Sequence, residues 1–322
     1  MNKFKKIGVS ALAGSLVAFT ANAGEMTVSG GASIGVEHIN GGAANGGKSW
    51  YMGNQLTFTG GGELDNGMNV SLSFVIDQGD DETDTSTQSG NAPFDSHSVS
   101  IGMDGLGTMT FHGEGGSAAQ AAMDGSAAGG MWDNFQAAAD EPKAAKGSND
   151  MISYAFPSLY DGLALAASYT PAGDGGASSS TSWSATYTGI EGLTIAYGSG
   201  EDNSATTTAD ATAWKISYAY GPVTVTATDL EYDHETATSE RSMESQAISY
   251  TLSDELSLTY GVEEITDGSA SSETAEFSGI GVSYTAGGMT LTAKTQEAKN
   301  ISYSTAATED RELWVLGASF AF

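Results

Sequence analysis

The sequence predicts an all-β chain, folded as a transmembrane antiparallel β-barrel of about 16 strands with its third long loop turned into the lumen. Three observations predict it. After residue 23, runs of apolar residues alternate with Ser, Thr and Gly at the period of two that marks a strand with unlike faces. The connections between these runs are short and long in turn, the rhythm of a barrel with tight turns on one rim and extended loops on the other. No segment beyond residue 23 reaches the ~18 consecutive apolar residues of a membrane-crossing helix, so strands must do any crossing.

Residues 1–23 read as a cleaved export leader, with residues 24–322 as a single barrel domain. Lys3, Lys5 and Lys6 precede the apolar run 7–19, and Ala21-Asn22-Ala23 has the small residues of a cleavage site. The competing reading, an N-terminal anchor, asks for ~20 apolar residues, more than this run supplies. The style is that of a bacterial exported protein. With no cysteine in the chain, neither disulfides nor a thiolate metal site enters the fold.

The first strand, 26–36, sets Met26, Val28, Ala32, Ile34 and Val36 against Thr27, Ser29, Gly31, Ser33 and Gly35. Runs at 50–60, 68–77, 96–103 and 108–114 repeat the pattern. Further strands follow at 151–156, 163–169, 181–189, 193–198, 211–220, 223–232, 242–251, 256–265, 277–284, 289–298 and 311–322. The even total suits closure of a single-chain barrel. Turns such as Asp104-Gly105-Leu106-Gly107 and Ile190-Glu191-Gly192 supply the Gly and Asp that tight hairpins need.

Aromatic residues on the apolar faces, among them Trp50, Tyr154, Trp183, Tyr197, Trp214, Tyr220, Tyr260 and Trp314, read as two interfacial girdles. Ordinary core packing of a soluble β-sandwich is the alternative, but a sandwich has no reason to alternate its loop lengths. The opposite faces, mostly Ser, Thr and Gly, read as the wall of a water-filled lumen.

The connection 115–149 stands apart from the rest. It is too long for a plain loop of a compact domain, where connections beyond ~12–15 residues are functional or disordered. Its charges are Asp124, Asp133, Asp140, Glu141, Lys143 and Lys146. Parity places His112, Glu114, Lys215, Glu263, Lys294 and Arg311 on the lumen wall.

Charge is the second strong feature. Eleven Lys and Arg stand against 40 Asp and Glu, a formal charge of −29. Loss of the three leader lysines takes it to −32. Such a chain repels nucleic acid and attracts cations. A second long loop carries Asp77, Asp80, Asp81, Glu82 and Asp84, which would bind calcium loosely or simply stay solvated. The spacing lacks the glycine and the terminal glutamate of an EF-hand. The histidines His38, His97, His112 and His234 have no metal-ligand spacing, and Gly113-Glu114-Gly115-Gly116-Ser117 lacks the Lys-Ser/Thr of a phosphate-binding loop. Nothing in the sequence points to an enzyme, and no cofactor is expected beyond that loose calcium.

With these features assembled, the chain resembles the general trimeric porins of Gram-negative outer membranes, of the alphaproteobacterial type. The leader, the first strand, the turn Gly102-Met103-Asp104-Gly105-Leu106-Gly107-Thr108, the long loop after the fifth strand and the terminal aromatic strand carry the resemblance. It implies a water-filled channel for passive diffusion of ions and small hydrophilic solutes, built as a homotrimer in outer-membrane lipid. It implies too that 115–149 is a constriction loop, with Asp124, Asp133, Asp140 and Glu141 as acidic eyelet residues. Lys143 and Lys146 would be their counter-charges; the plain alternative for each is a solvated loop charge. Phe322, with Phe320 and Trp314 on the same face, would be the signal read by the barrel-assembly machinery. Porins of this kind usually face the loop with several wall arginines, whereas this chain has only Arg241 and Arg311. A cation-preferring pore is therefore expected. A substrate-specific channel and a non-channel surface barrel or adhesin are the alternatives.

Overall fold

The computed structural model of the protein describes residues 26–41, 48–77, 95–123, 125–135, 143–147, 149–172, 179–204, 207–236, 239–269, 272–305 and 309–322. The first six strands are β1 (Met26–Gly41), β2 (Lys48–Glu63), β3 (Asn69–Asp77), β4 (Ser96–Met103), β5 (Gly107–Glu114) and β6 (Met151–Ala155). Next come β7 (Leu163–Thr170), β8 (Ser179–Ile190), β9 (Leu193–Asn203), β10 (Thr208–Tyr220) and β11 (Val223–His234). The last five are β12 (Arg241–Thr251), β13 (Leu256–Asp267), β14 (Ala275–Ala286), β15 (Met289–Lys299) and β16 (Arg311–Ala321). Each pairs with its neighbours in sequence, and β16 returns to β1, so the 16 strands form one closed antiparallel barrel.

The closing seam runs from Gly31 opposite Ala321 to Gly41 opposite Arg311. Beyond it, Gly30 and Phe322 exchange backbone hydrogen bonds of 2.8 and 3.1 Å. The Phe322 ring lies over Gly30, where even a methyl group would collide with it. Closure leaves the barrel no unpaired edge, which a strand structure in hydrocarbon requires.

Every strand but β3 has large exposed apolar side chains on one face. Trp183, Tyr197, Trp214, Ile216, Tyr218, Tyr260, Ile280, Tyr284 and Leu316 belong to it, as do Trp50 and Met52 on β2. In a barrel this is the outer belt. The inner face carries small and polar residues, with buried positions such as Ser168, Ser182, Thr228, Ser245 and Glu263.

The strands run further toward the long-loop rim than their hydrophobic pattern indicates: β9 continues to Asn203 and β10 begins at Thr208. These extensions hold by ladder pairing, as in Thr208 opposite Asn203 and Asp210 opposite Glu201. Both of their faces are small or polar, so no apolar phase announces them. On the outer face near this rim, Asp229 pairs with Glu244, Glu244 with Glu264, and Glu264 with Glu276. Like charges directly opposite each other destabilise a sheet, so this acidic row sits where water can screen it.

Candidate functional site

The long loop leaves the wall at a built irregularity. Between β4 and β5 the register shifts at His97/Ser98, which leaves Gly113 as the extra residue. The His97 ring occupies the place a side chain at Gly113 would need, and Gly115 follows with φ +74°. A bulge followed by a left-handed residue turns a chain out of its sheet. The returning end packs against the departing one, with Gly147 against Gly116 and Ala118, and Asp150 takes φ 60° just before β6.

From this neck the loop lies along the inner face and is fastened by side chains of successive strands. Ala119 N–H donates to Ser168 Oγ of β7 (2.9 Å) and Gln120 N–H to Ser182 Oγ of β8 (3.3 Å). Ala127 N–H donates to Thr228 Oγ1 of β11 (3.0 Å), and Ala128 N–H to Ser245 Oγ of β12 (2.9 Å). Glu263 of β13 is the focus. Its carboxylate accepts the N–H groups of Gly130 (2.9 Å) and Met131 (2.5 Å) and the hydroxyls of Ser126 and Ser245. Glu263 is 0% exposed, so these donors replace the water that a buried carboxylate must otherwise keep.

Beside this anchor the loop forms a 3₁₀ turn, Met131–Phe135, whose Met131, Trp132 and Phe135 are buried. They pack with Leu230, Met243, Ile265, Phe277, Leu313 and Val315, all inner-face residues of β11–β16. Phe135 and Phe277 meet at 6.0 Å between ring centroids. The inner face is therefore not the uniform Ser, Thr and Gly wall that the sequence suggests. Near the long-loop rim it is apolar, and the loop covers it. Those six residues fall out of phase with the lipid-facing pattern, and that phase reversal is the signal that the sequence reading did not use. The same reading weighed the loop by its charges and passed over Met131, Trp132 and Phe135.

The predicted site residues take several positions. Asp133 lies in the 3₁₀ turn, half-buried. Lys294 Nζ donates to Asn134 Oδ1 at 2.8 Å, and Arg311 donates to the Phe135 carbonyl at 2.9 Å, so both wall cations hold the loop. Lys215 stands on the inner face of β10, paired in register with Thr228 and Ala196. His112 meets Ser153 Oγ at 3.0 Å on the lumen wall. Glu114 does not join it: the extra residue Gly113 reverses the phase, so Glu114 stands opposite His97, 4.0 Å from its ring, on the outward face that Phe74 shares. Lys143 Nζ donates to the Ser239 carbonyl (2.8 Å) and sits 5.7 Å from the Tyr232 ring centre. Lys146 N–H donates to Asp202 Oδ1 at 2.9 Å. Arg241, which was not expected at the site, pairs with Asp267 and lies 4.9 Å from the Tyr303 ring. Trp314 packs on the outer face against His38 (5.9 Å), near Lys48, and Phe320 stands opposite Ala32 across the seam. The leader 1–23, Asp124, Asp140 and Glu141, and the calcium candidates Asp80, Asp81, Glu82 and Asp84 lie outside the described residues.

A closed barrel of 16 antiparallel strands, with an apolar outer belt and a long loop bound along its inner face, defines a transmembrane β-barrel of the channel-forming type. The chain belongs to the Gram-negative porin family, which it matches over residues 8–322, and its place is the bacterial outer membrane. Solved structures agree on the fold. An anion-selective porin from Comamonas acidovorans superposes with a TM-score of 0.68 at 14% identity, covering 93% of this chain and 100% of the porin. OmpT, an outer membrane protein of Vibrio cholerae, in its trimer form gives 0.66 at 13% identity over 94% of this chain and 100% of OmpT. A triple mutant of the Rhodopseudomonas blastica porin gives 0.65 at 13% identity over 92% of this chain and all (100%) of its own. No curated protein matches the sequence.

Proposed function

We propose that this porin is a cation-preferring diffusion channel for ions and small hydrophilic solutes, narrowed by the loop 115–149 and assembled as a trimer. One observation carries the charge preference. Among the described residues, the inner face of β1–β6 holds the acids Glu37, Glu63 and Asp77 and no Lys or Arg. Lys48, the one basic residue on those strands, lies on the outer face near Trp314. On the far side, Lys294 and Arg311 are engaged by loop atoms. Anions passing along β1–β6 thus meet acids, while Lys294 and Arg311 keep their charge on the opposite wall, turned toward the loop. Acidic linings concentrate cations and favour their passage.

The similar fold from Comamonas acidovorans is anion-selective, the opposite sign. At 14% identity the two share a barrel and not a lining, and the lining sets selectivity. The trimeric state rests on the family and on the trimer form of the Vibrio neighbour. The aromatic end of β16, with Phe322 outward, suits recognition by the assembly machinery. The test is the reversal potential of the refolded protein in a planar bilayer under a KCl gradient. Large ohmic steps reversing on the cation side are expected. Anion-side reversal would keep the channel and overturn the charge reading, and absence of conductance from inserted protein would overturn the channel.

A further inference from the structure

At the long-loop rim the returning end of the loop meets β9, β10 and β11 and leaves a cavity of about 390 Å³. That volume lies within the ~300–1,000 Å³ of small-molecule sites. Lys143, Lys146, Asp202, Ser204, Thr207, Thr208, Tyr232 and His234 line it. The topology explains the space: Asp202 and His234 flank Ala209 across the sheet, and Tyr232 stands opposite Ala211. Two alanines between larger neighbours leave a hollow.

The groups around the hollow are unlike the rest of this acidic protein. Among the described residues, two lysines and a histidine line the hollow with one carboxylate, Asp202, and Asp267 acts on Lys143 from outside the lining. The Asp202 carboxylate is already engaged by the Lys146 N–H (2.9 Å) and the Tyr232 hydroxyl (3.2 Å). The Tyr232 and His234 rings stack at 6.3 Å between centroids and 19° between planes, an aromatic pair on the cavity wall. Lys143, held by the Ser239 carbonyl, lies over the Tyr232 ring at 5.7 Å from its centre. The hydroxyls of Ser204, Thr207 and Thr208 line the same cavity, with Glu235 outside it bonded to Thr208.

We propose that this cavity is a capture site for a carboxylate-bearing, hydroxyl-rich ring solute of monosaccharide size, a sugar acid. The ammonium groups take the carboxylate, the Tyr232–His234 pair takes the apolar face of the ring, and the Ser and Thr hydroxyls take its hydroxyls. Long-range charge and short-range contact act differently here. The acidic field biases small ions, but salt screens it beyond ~8 Å, and within the cavity the lysines dominate. The inference rests on the channel reading only in placing the site at a pore mouth.

Glucuronate is titrated calorimetrically into detergent-solubilised protein at ~0.15 M KCl, with glucose as the neutral counterpart and KCl conductance recorded on the same preparation. Glucuronate should bind at least ~10-fold more tightly than glucose, and the double change Lys143→Gln with Lys146→Gln should weaken glucuronate by a similar factor. The pair Lys143→Arg with Lys146→Arg should retain binding, and circular dichroism establishes that each variant is folded. Equal binding of the two sugars, undiminished binding by the double glutamine variant, or no binding by conducting protein overturns the site. Binding by protein that does not conduct supports the site and overturns the channel instead.

Discussion

The carboxylate of Glu263 accepts the backbone N–H of Met131 at 2.5 Å, across 132 residues of chain. Gly130 N–H and two hydroxyls complete the same anchor, so one wall side chain fixes the loop where it turns. Hydrogen bonds to a charged group contribute ~1.5–3 kcal/mol each, and removing the acceptor leaves buried donors unpaired. Glu263→Ala should therefore loosen the loop and give larger, noisier single-channel steps, with Glu263→Gln in between. Steps indistinguishable from the parent in the alanine variant would reject the anchor.

Phe135 is 0% exposed and packs on Phe277. Phe135→Ala should lower the local stability of the loop by ~3–5 kcal/mol, the usual cost of emptying an aromatic site. Amide hydrogen exchange at 131–135 reads this directly: those amides should exchange far faster while the strand amides stay protected. Deleting 117–146 goes further, since it uncovers Met243, Ile265, Phe277, Leu313 and Val315. Conductance should rise and refolding yield should fall together.

Glu37 and Asp77 supply the test of the lining. Glu37→Gln with Asp77→Asn should move the reversal potential in a KCl gradient toward zero, because the passage loses fixed charge on its acid side. A shift toward stronger cation preference would contradict the assignment of that face.

The barrel was legible in the sequence because its outer face meets lipid. Met68, Val70, Leu72, Phe74 and Ile76 share one parity, and hydrocarbon enforces that parity along each crossing. The strand ends were less legible. Beyond the lipid, residues such as Gly200 and Glu201 are held by ladder bonds and need no apolar pattern. The loop's seat was hidden for a different reason. Ser168, Ser182, Thr228 and Ser245 look like any polar wall residue, and only the folded chain shows which of them face the loop's N–H groups. Glu263 read as a wall charge, and its burial under the loop is a tertiary fact. The apolar cluster left a trace in the out-of-phase Leu230, Ile265, Phe277 and Leu313, which reads as noise until the loop's Trp132 and Phe135 are set beside it.

The outer acidic row gives a prediction about stability. With Asp229, Glu244, Glu264 and Glu276 paired in sequence across four strands, the barrel should melt at higher temperature as NaCl rises from low to moderate concentration. Glu264→Gln should raise the low-salt melting temperature, in line with the ~0.2–1 kcal/mol of a cross-strand pair. A salt-independent melt would show that the row is neutralised by other means.

The fastenings of the loop share a direction in the chain. Ser168, Ser182, Thr228, Ser245, Glu263, Lys294 and Arg311 all follow it, the last by 176 residues from Phe135. A chain emerging from its N-terminus presents the loop long before it presents the places where the loop will rest. The loop must wait, unseated, until the last strands arrive, and contacts so distant in sequence form slowly. Seating is then a late event, after the wall is laid down. A fault in β13–β16 would be felt first in the loop, far upstream of the change itself.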